Sequence, residues 1–291
     1  MSPNRFLVIT PARNEEQYLG QTIASIVSQT VLPQEWIIVD DGSRDATAAI
    51  AQRAAGANPW IKVVRRRDRG YRDVGSGMVD AFYLGLNNVK EDNYDFIFII
   101  DADVVLSRDY FKVILNKFSE NPRLGIAGGT LYEPRHGKFC KTILMPWRTY
   151  GAAKCWRRTC FQDIGGLVKH IGWDNIDNFN AMMRGWETRV FEDEALKTYH
   201  LRPMGWSEKS PYTTWIRSGN ALYFMGAHPL WVLASSVYHF QDYPYVIGGL
   251  CTILGYLQAL LKGAKPYDDR EFRNFLWKWQ LKKLSELLGL H

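Results

Sequence analysis

The chain holds 291 residues, 46% hydrophobic and 23% charged, which supplies the material for a sizeable buried core and excludes the disordered class. Its formal charge of +6 suits nucleotide phosphates, lipid phosphates or an anionic bilayer, and by itself does not separate these from nucleic acid. Cys140, Cys155, Cys160 and Cys251 form no CxxC pair and no zinc spacing, as expected of reduced thiols in an intracellular protein. The opening MSPNRFLVITPARNEE has neither the apolar stretch nor the cleavage site of a secretory signal, so the expected location is cytoplasmic.

From residue 5 to about 133, short apolar runs alternate with amphipathic stretches of helical length. The runs are Phe6 to Thr10, Trp36 to Val39, Ile61 to Val64, Phe96 to Ile100 and Gly125 to Ala127, with Tyr18 to Ser28 and Ala46 to Ala55 among the stretches between them. This alternation predicts an α/β fold with a mostly parallel sheet flanked by helices, and functional residues at the carboxyl ends of its strands. From Pro146 onward the texture changes, since nine of the eleven tryptophans lie there, with the clusters GWDNID and RPMGW. We read 1–226 as one domain, comprising a first half (1–133) that carries the alternating strands and a tryptophan-rich second half (134–226), and 227–291 as a helical C-terminal region.

In that last region, Tyr245 to Leu261 is a run of seventeen residues without charge that contains Gly248, Gly249, Gly255 and Gln258. The length is at the lower edge of a membrane span and leaves a buried helix, a re-entrant segment and a short span open. Asp268 to Leu290 predicts a helix that aligns Trp277, Leu281, Leu284 and Leu288, with Lys278, Lys282 and Lys283 beside Trp277 and Trp279. A basic, tryptophan-bearing helix of this kind suits the surface of an anionic membrane, on which the appendage would sit peripherally at the cytoplasmic face; packing of the same stripe onto a core is the alternative.

Three segments carry chemistry. In FIFIIDAD an apolar strand delivers Asp101 and Asp103, spaced by one residue, and two oxygen ligands facing a diphosphate suit Mg²⁺ or Mn²⁺. In IIVDDGSRD a strand runs into Asp40 and Asp41, and then into a Gly-Ser turn with Asp45 placed to cap a helix starting at Ala46. Turn and cap chemistry explains Gly42, Ser43 and Asp45, whereas adjacent carboxylates repel unless they receive hydrogen bonds, for instance from a base or a ribose. In TPARNEE, acidic residues entering a first helical turn account for Glu15 and Glu16 without any ligand.

In this order and spacing, Pro11 to Glu15, Asp40 to Asp45 and Asp101 to Asp103 resemble the motifs of glycosyltransferase family 2, over about residues 5 to 205. The resemblance implies the GT-A fold and an inverting enzyme that moves a sugar from a UDP- or GDP-sugar, with Mn²⁺ or Mg²⁺ as cofactor. It implies nucleoside contacts at Pro11, Arg13, Glu15 and Asp40 or Asp41, and metal and ribose contacts at Asp101 and Asp103, Asp103 being the more direct metal ligand. The family also carries a carboxylate base before a glycine, usually written Glu-Asp; here Asp174 stands eleven residues before Gly185 and Trp173 replaces the Glu. That departure leaves Asp174 and Asp177 as candidates. Asp174 is preferred because it sits at the helix start, where it can reach beyond the helix end, although it would serve equally as a cap. TYHLRP is similar to the segment after the family's base helix, which implies an imidazole ligand from His200 and a diphosphate contact from Arg202.

The Gln-x-x-Arg-Trp signature of processive synthases is absent, which points to transfer of a single sugar. The acceptor expected is a glycan or a lipid-linked sugar of cell-surface polysaccharide synthesis. The arginine run Arg65 to Asp73 is read as a solvated strand end or as a phosphate grip. A sugar-1-phosphate nucleotidyltransferase is the competing enzyme class, but the loop after the first strand lacks the glycines it needs. A catalytically silent nucleotide-binding module is the other rival, while nucleic acid is disfavoured because acidic strand ends repel its phosphates.

Overall fold

The computed structural model describes residues 5–71, 73–90, 92–135, 137–142, 145–203, 210–241 and 244–289. Arg72 of the arginine run, Met204 to Trp206 of the RPMGW cluster and Leu290 of the tail lie outside them. The described residues pack as two units, 5–169 with 173–203, and 170–172 with 210–289.

The first unit begins with the expected alternation: β1 (Phe6–Ala12), α1 (Leu19–Val27), β2 (Glu35–Asp40), α2 (Thr47–Ala57), β3 (Ile61–Arg65), α3 (Ser76–Leu86) and β4 (Phe96–Ile100). It continues through β5 (Val104–Leu106), α4 (Tyr110–Glu120), β6 (Leu124–Arg135), β7 (Lys138–Lys141), β8 (Ala153–Arg157), α5 (Arg158–Asp163), α6 (Trp173–Met183), β9 (Glu187–Phe191) and β10 (Lys197–His200). The sheet runs β3-β2-β1-β4-β8-β6-β10-β5, with β7 and β9 also paired to β6. Its first four strands are parallel, and β8 enters antiparallel between β4 and β6. Alternation along each strand divides the core by face. Phe6, Val8, Trp36, Ile38, Phe96 and Phe98 pack with Leu19 and Ile26 of α1 and Phe111 and Ile114 of α4. Ile9, Ile37, Val39, Ile97 and Ile99 pack with Val79 and Phe82 of α3, Phe161 of α5 and Trp173 of α6. Both faces are thus covered, as the uninterrupted apolar strands require.

The second unit contains α7 (Pro211–Met225), α8 (Pro229–Tyr238), α9 (Val246–Leu261) and α10 (Arg270–Leu287). Helix α7, which the sequence reading grouped with residues before 226, packs here against α9. The charge-free run forms α9, and among the described residues no helix is long and apolar enough to cross a membrane. Asp269 caps α10 by accepting the Phe272 N–H at 2.8 Å. The buried positions of α10 are Phe272, Leu276 and Gln280, whereas Trp277 and Leu281 of the predicted stripe are 41% and 40% exposed. The packed face therefore lies to one side of the one that periodicity suggested. Gln280 accounts for the offset, because it accepts the His228 N–H at 2.8 Å and so brings a polar position inward.

Candidate active site

Because β1 pairs in parallel with both β2 and β4, the residues that follow these three strands emerge at one rim of the sheet. Asp40 closes β2 and Asp41 follows it. Asp40 is fully buried; its Oδ1 accepts the Ser43 N–H at 2.9 Å, and Arg65 Nε lies 3.0 Å from Oδ2. Arg69 donates to both carboxylate oxygens of Asp41 at 2.7 Å, and Arg66 adds a bond at 3.2 Å. The bonds that relieve repulsion between adjacent carboxylates thus come from the chain itself. They also account for Arg65, Arg66 and Arg69 of the arginine run, which fold back as ion pairs to Asp40, Asp41 and Asp80.

Pro11 lies inside β1, paired with Val39. Arg13, almost fully buried, donates to the Asp41 carbonyl and pairs with Asp68 at 2.6 Å. Asn14 then turns the chain with φ 54°, a left-handed conformation that Asn tolerates better than most residues. Its amide donates to Ser43 Oγ at 3.0 Å and its side chain accepts the Arg44 N–H at 2.9 Å. Glu15 N–H donates to Thr47 Oγ1 at 2.7 Å. Asp45 accepts the N–H groups of Thr47 and Glu16 at 3.0 and 3.1 Å, so it serves the turn at the start of α2.

Asp101 and Asp103 follow β4, and the antiparallel register of β10 with β5 sets His200 opposite Val104, next to Asp103. One ligand atom each from Asp101, Asp103 and His200 can lie within 4.8 Å of the other two. His200 Nε2 is 3.3 Å from Asp103 Oδ1, and its Nδ1 faces the Arg202 carbonyl. Arg202 bridges two motifs, with Nε 2.5 Å from Asp103 Oδ2 and Nη2 2.6 Å from Glu15 Oε1. Its guanidinium lies over the Tyr18 ring, 5.3 Å from the centroid. Burial, and then the charge of Asp103, pushes the Asp101 carboxyl upward. Burial acts the same way on Asp103, but the His200 hydrogen bond and the nearby positive charges hold it below the usual carboxylate range. Burial disfavours a charged His200, yet Asp103 outweighs it and raises the imidazole to about 9. Two carboxylates and one imidazole are a donor set suited to Mn²⁺ or Mg²⁺. A cation held there would require His200 to give up its proton, because a ligating imidazole must be neutral.

The two base candidates have different surroundings. Asp177 is 1% exposed; it accepts from Lys154 Nζ at 2.9 and 3.0 Å and from Trp156 Nε1 at 2.9 Å. Burial pushes its carboxyl up to about 6 against the pull of Lys154. Asp174, in the first turn of α6, is half-buried. Its carbonyl receives Lys154 Nζ at 2.7 Å and Asn178 Nδ2 at 2.6 Å. A Cβ added to Gly151 would stand 2.6 Å from the Trp173 ring and 3.6 Å from Asp174 Cβ, so only glycine lets α6 approach this closely. The next residue, Ala152, accepts the Asp101 N–H at 2.9 Å. Gly151 and Ala152 therefore set the start of α6 beside the acidic end of β4.

Lys154 escaped the sequence reading. A lysine inside a short strand ordinarily faces solvent, and its carboxylate partner lies 23 residues away; the one available signal was a second aspartate on the inward side of α6. Removing one partner leaves the other charge buried and unpaired, so Asp177→Ala is expected to cost about 3–5 kcal/mol of stability. This is read as a lower urea midpoint at unchanged slope. A loss below about 1 kcal/mol contradicts the pairing.

A mixed sheet whose first four strands are parallel and whose acidic strand ends gather at one rim defines an α/β fold of the GT-A type. The family model described as glycosyl transferase family 2 matches residues 7–186, and the chain belongs to that family. A poly-β-1,6-N-acetyl-D-glucosamine synthase of Staphylococcus aureus is 27% identical over 116 residues, 40% of this chain and 26% of that one. The chain therefore spans about a quarter of that relative's length. Two solved structures share the fold. A mannosyltransferase of Pyrobaculum calidifontis in complex with GDP-Man and Mn²⁺ has a TM-score of 0.57 at 17% identity, covering 98% of this chain and 86% of that one. S. aureus TarS 1–349 in complex with UDP has a TM-score of 0.56 at 16% identity, covering 75% and 64%.

Proposed function

We propose that this chain transfers a single sugar from a UDP- or GDP-sugar to an acceptor hydroxyl, with inversion at the anomeric carbon. The observation that carries the reading is the convergence of Asp101, Asp103 and His200, linked through Arg202 to Glu15, in a family 2 chain. The GDP-Man and UDP in the two structural neighbours support a nucleoside diphosphate donor. Pro11, Arg13, Glu15 and either Asp40 or Asp41 would contact the nucleoside, the aspartate from within its ion pairs with Arg65, Arg66 and Arg69, and Arg202 would contact the diphosphate. Asp101, Asp103 and His200 would hold Mn²⁺ or Mg²⁺, whose charge would offset that of the leaving diphosphate.

Asp174 takes the proton of the acceptor hydroxyl as its oxygen attacks the anomeric carbon; the bond from that carbon to the phosphate oxygen breaks, and the nucleoside diphosphate leaves. Asp177 is already committed to Lys154 and Trp156, which leaves Asp174 the carboxylate of α6 free for this work. The acceptor is a glycan or a lipid-linked sugar. Phosphorus NMR on a panel of nucleotide sugars with Mn²⁺ is expected to show slow, metal-dependent release of nucleoside diphosphate from one donor. Pyrophosphate formation from a nucleoside triphosphate and a sugar phosphate would instead identify a nucleotidyltransferase. No product from any donor or acceptor would overturn the catalytic reading.

A further inference from the structure

Helix α9 is built inside out. Its buried positions are Gly248, Gly249, Thr252, Gly255 and Ala259, small residues that let neighbouring backbones approach. A Cβ on Gly255 would stand 2.0 Å from the Ile216 carbonyl of α7, and one on Gly219 of α7 would stand 2.0 Å from the Thr252 carbonyl. The large aliphatic side chains face the other way: Ile247, Leu250, Leu254, Leu257 and Leu261 form one stripe along the helix and are 44–85% exposed. Helix α8, packed on α9, repeats the pattern, with Val232 and Ser236 inside and Leu230, Leu233 and Val237 outside.

An amphipathic helix in water does the reverse, turning its large apolar residues to the core. Small residues at the helix contact with leucines outward is how helices pack when hydrocarbon surrounds them. Among the described residues of 229–261 there is no Asp, Glu, Lys or Arg, and the exposed Lys262 and Lys265 follow directly after Leu261. At 1.5 Å per residue, α9 is about 24 Å long, short of the roughly 30 Å hydrocarbon core, so it suits lying in an interface rather than crossing. The tryptophans of α10 are less suited to the role that the sequence suggested for them. Trp277 donates its indole N–H to the Gly226 carbonyl at 2.7 Å, and Trp279 packs edge-on against Trp231.

We propose that the exposed aliphatic face of α8 and α9 docks this chain on the interface of an anionic lipid bilayer, with Lys262 and Lys265 meeting headgroup phosphates. The proposal stands independently of the transferase reading. The full chain is expected to sediment with vesicles of phosphatidylcholine and phosphatidylglycerol, and less with phosphatidylcholine alone. Leu250→Ser combined with Leu254→Ser and Leu257→Ser should lower that partitioning by about tenfold or more, while UDP or GDP binding with Mn²⁺ stays at the parental level. Trp277→Ala should change it little. A second variant, Leu254→Trp, keeps the face apolar, and brominated lipids should quench the added fluorescence. Three results overturn the proposal: parental vesicle binding by the triple serine variant, no added quenching of Leu254→Trp, or a stable dimer in lipid-free solution that the serine variant dissociates. If nucleotide binding fails while vesicle binding persists, the transferase reading falls and the docking face stands.

Discussion

Asp174→Asn is expected to bind the nucleotide sugar as the parent does and to turn it over about 10²-fold more slowly, or worse, at saturating donor. The substitution is nearly isosteric and removes the negative charge, and with it the capacity to accept a proton. Asp174 lies in the first turn of α6, and its carbonyl, not its carboxylate, receives Lys154 and Asn178, so that support survives in the variant. Asp177→Asn acts by another route. It weakens the partner of the buried Lys154, and its effect should appear first as lost stability, with a milder fall in turnover than that of Asp174→Asn. Steady-state kinetics beside urea unfolding separates the two. Turnover of Asp174→Asn within about threefold of the parent would remove Asp174 from the mechanism.

The first four strands were legible because each is an unbroken apolar run ending in turn or charged residues, the pattern that burial on both faces demands. The three acidic motifs were legible for the same reason, since strand ends in a parallel sheet share a rim. What escaped depends on contacts distant in sequence. Strand β8 contains Lys154, which periodicity would turn outward; only Asp177 on α6, with Trp156 beside it, makes that position tolerable inside. The role of Arg65, Arg66 and Arg69 as partners of Asp40 and Asp41 required knowing that the chain after β3 returns to the end of β2. The direction of α9 was the hardest to read. An uncharged run suggests burial all round, and the outward leucines emerge only once Gly219 of α7 and Gly255 of α9 are seen to bring the two backbones together.

Asp103→Ala is expected to abolish the metal-dependent part of nucleotide binding and leave the fold intact. Asp103 is 3% exposed and contacts both His200 and Arg202, so its loss removes one of the three clustered ligands and the anchor that aligns the other two groups. Arg202 keeps Glu15 and His200 keeps the Arg202 carbonyl, and a small residue at the rim opens no cavity in either face of the core. On the proposed function, the ends of β1, β2 and β4, closed by β10, form a metal-assisted nucleoside diphosphate site. The most direct test of this claim is calorimetric titration of UDP and GDP into the parent and into Asp103→Ala, each with and without Mn²⁺. The parent should bind one of the two nucleotides at least about tenfold more tightly with Mn²⁺, a differential of about 1.4 kcal/mol, and the variant should bind it equally weakly in both conditions. Affinity in the parent that is the same with and without the metal, or a metal effect that survives in Asp103→Ala, would contradict the claim.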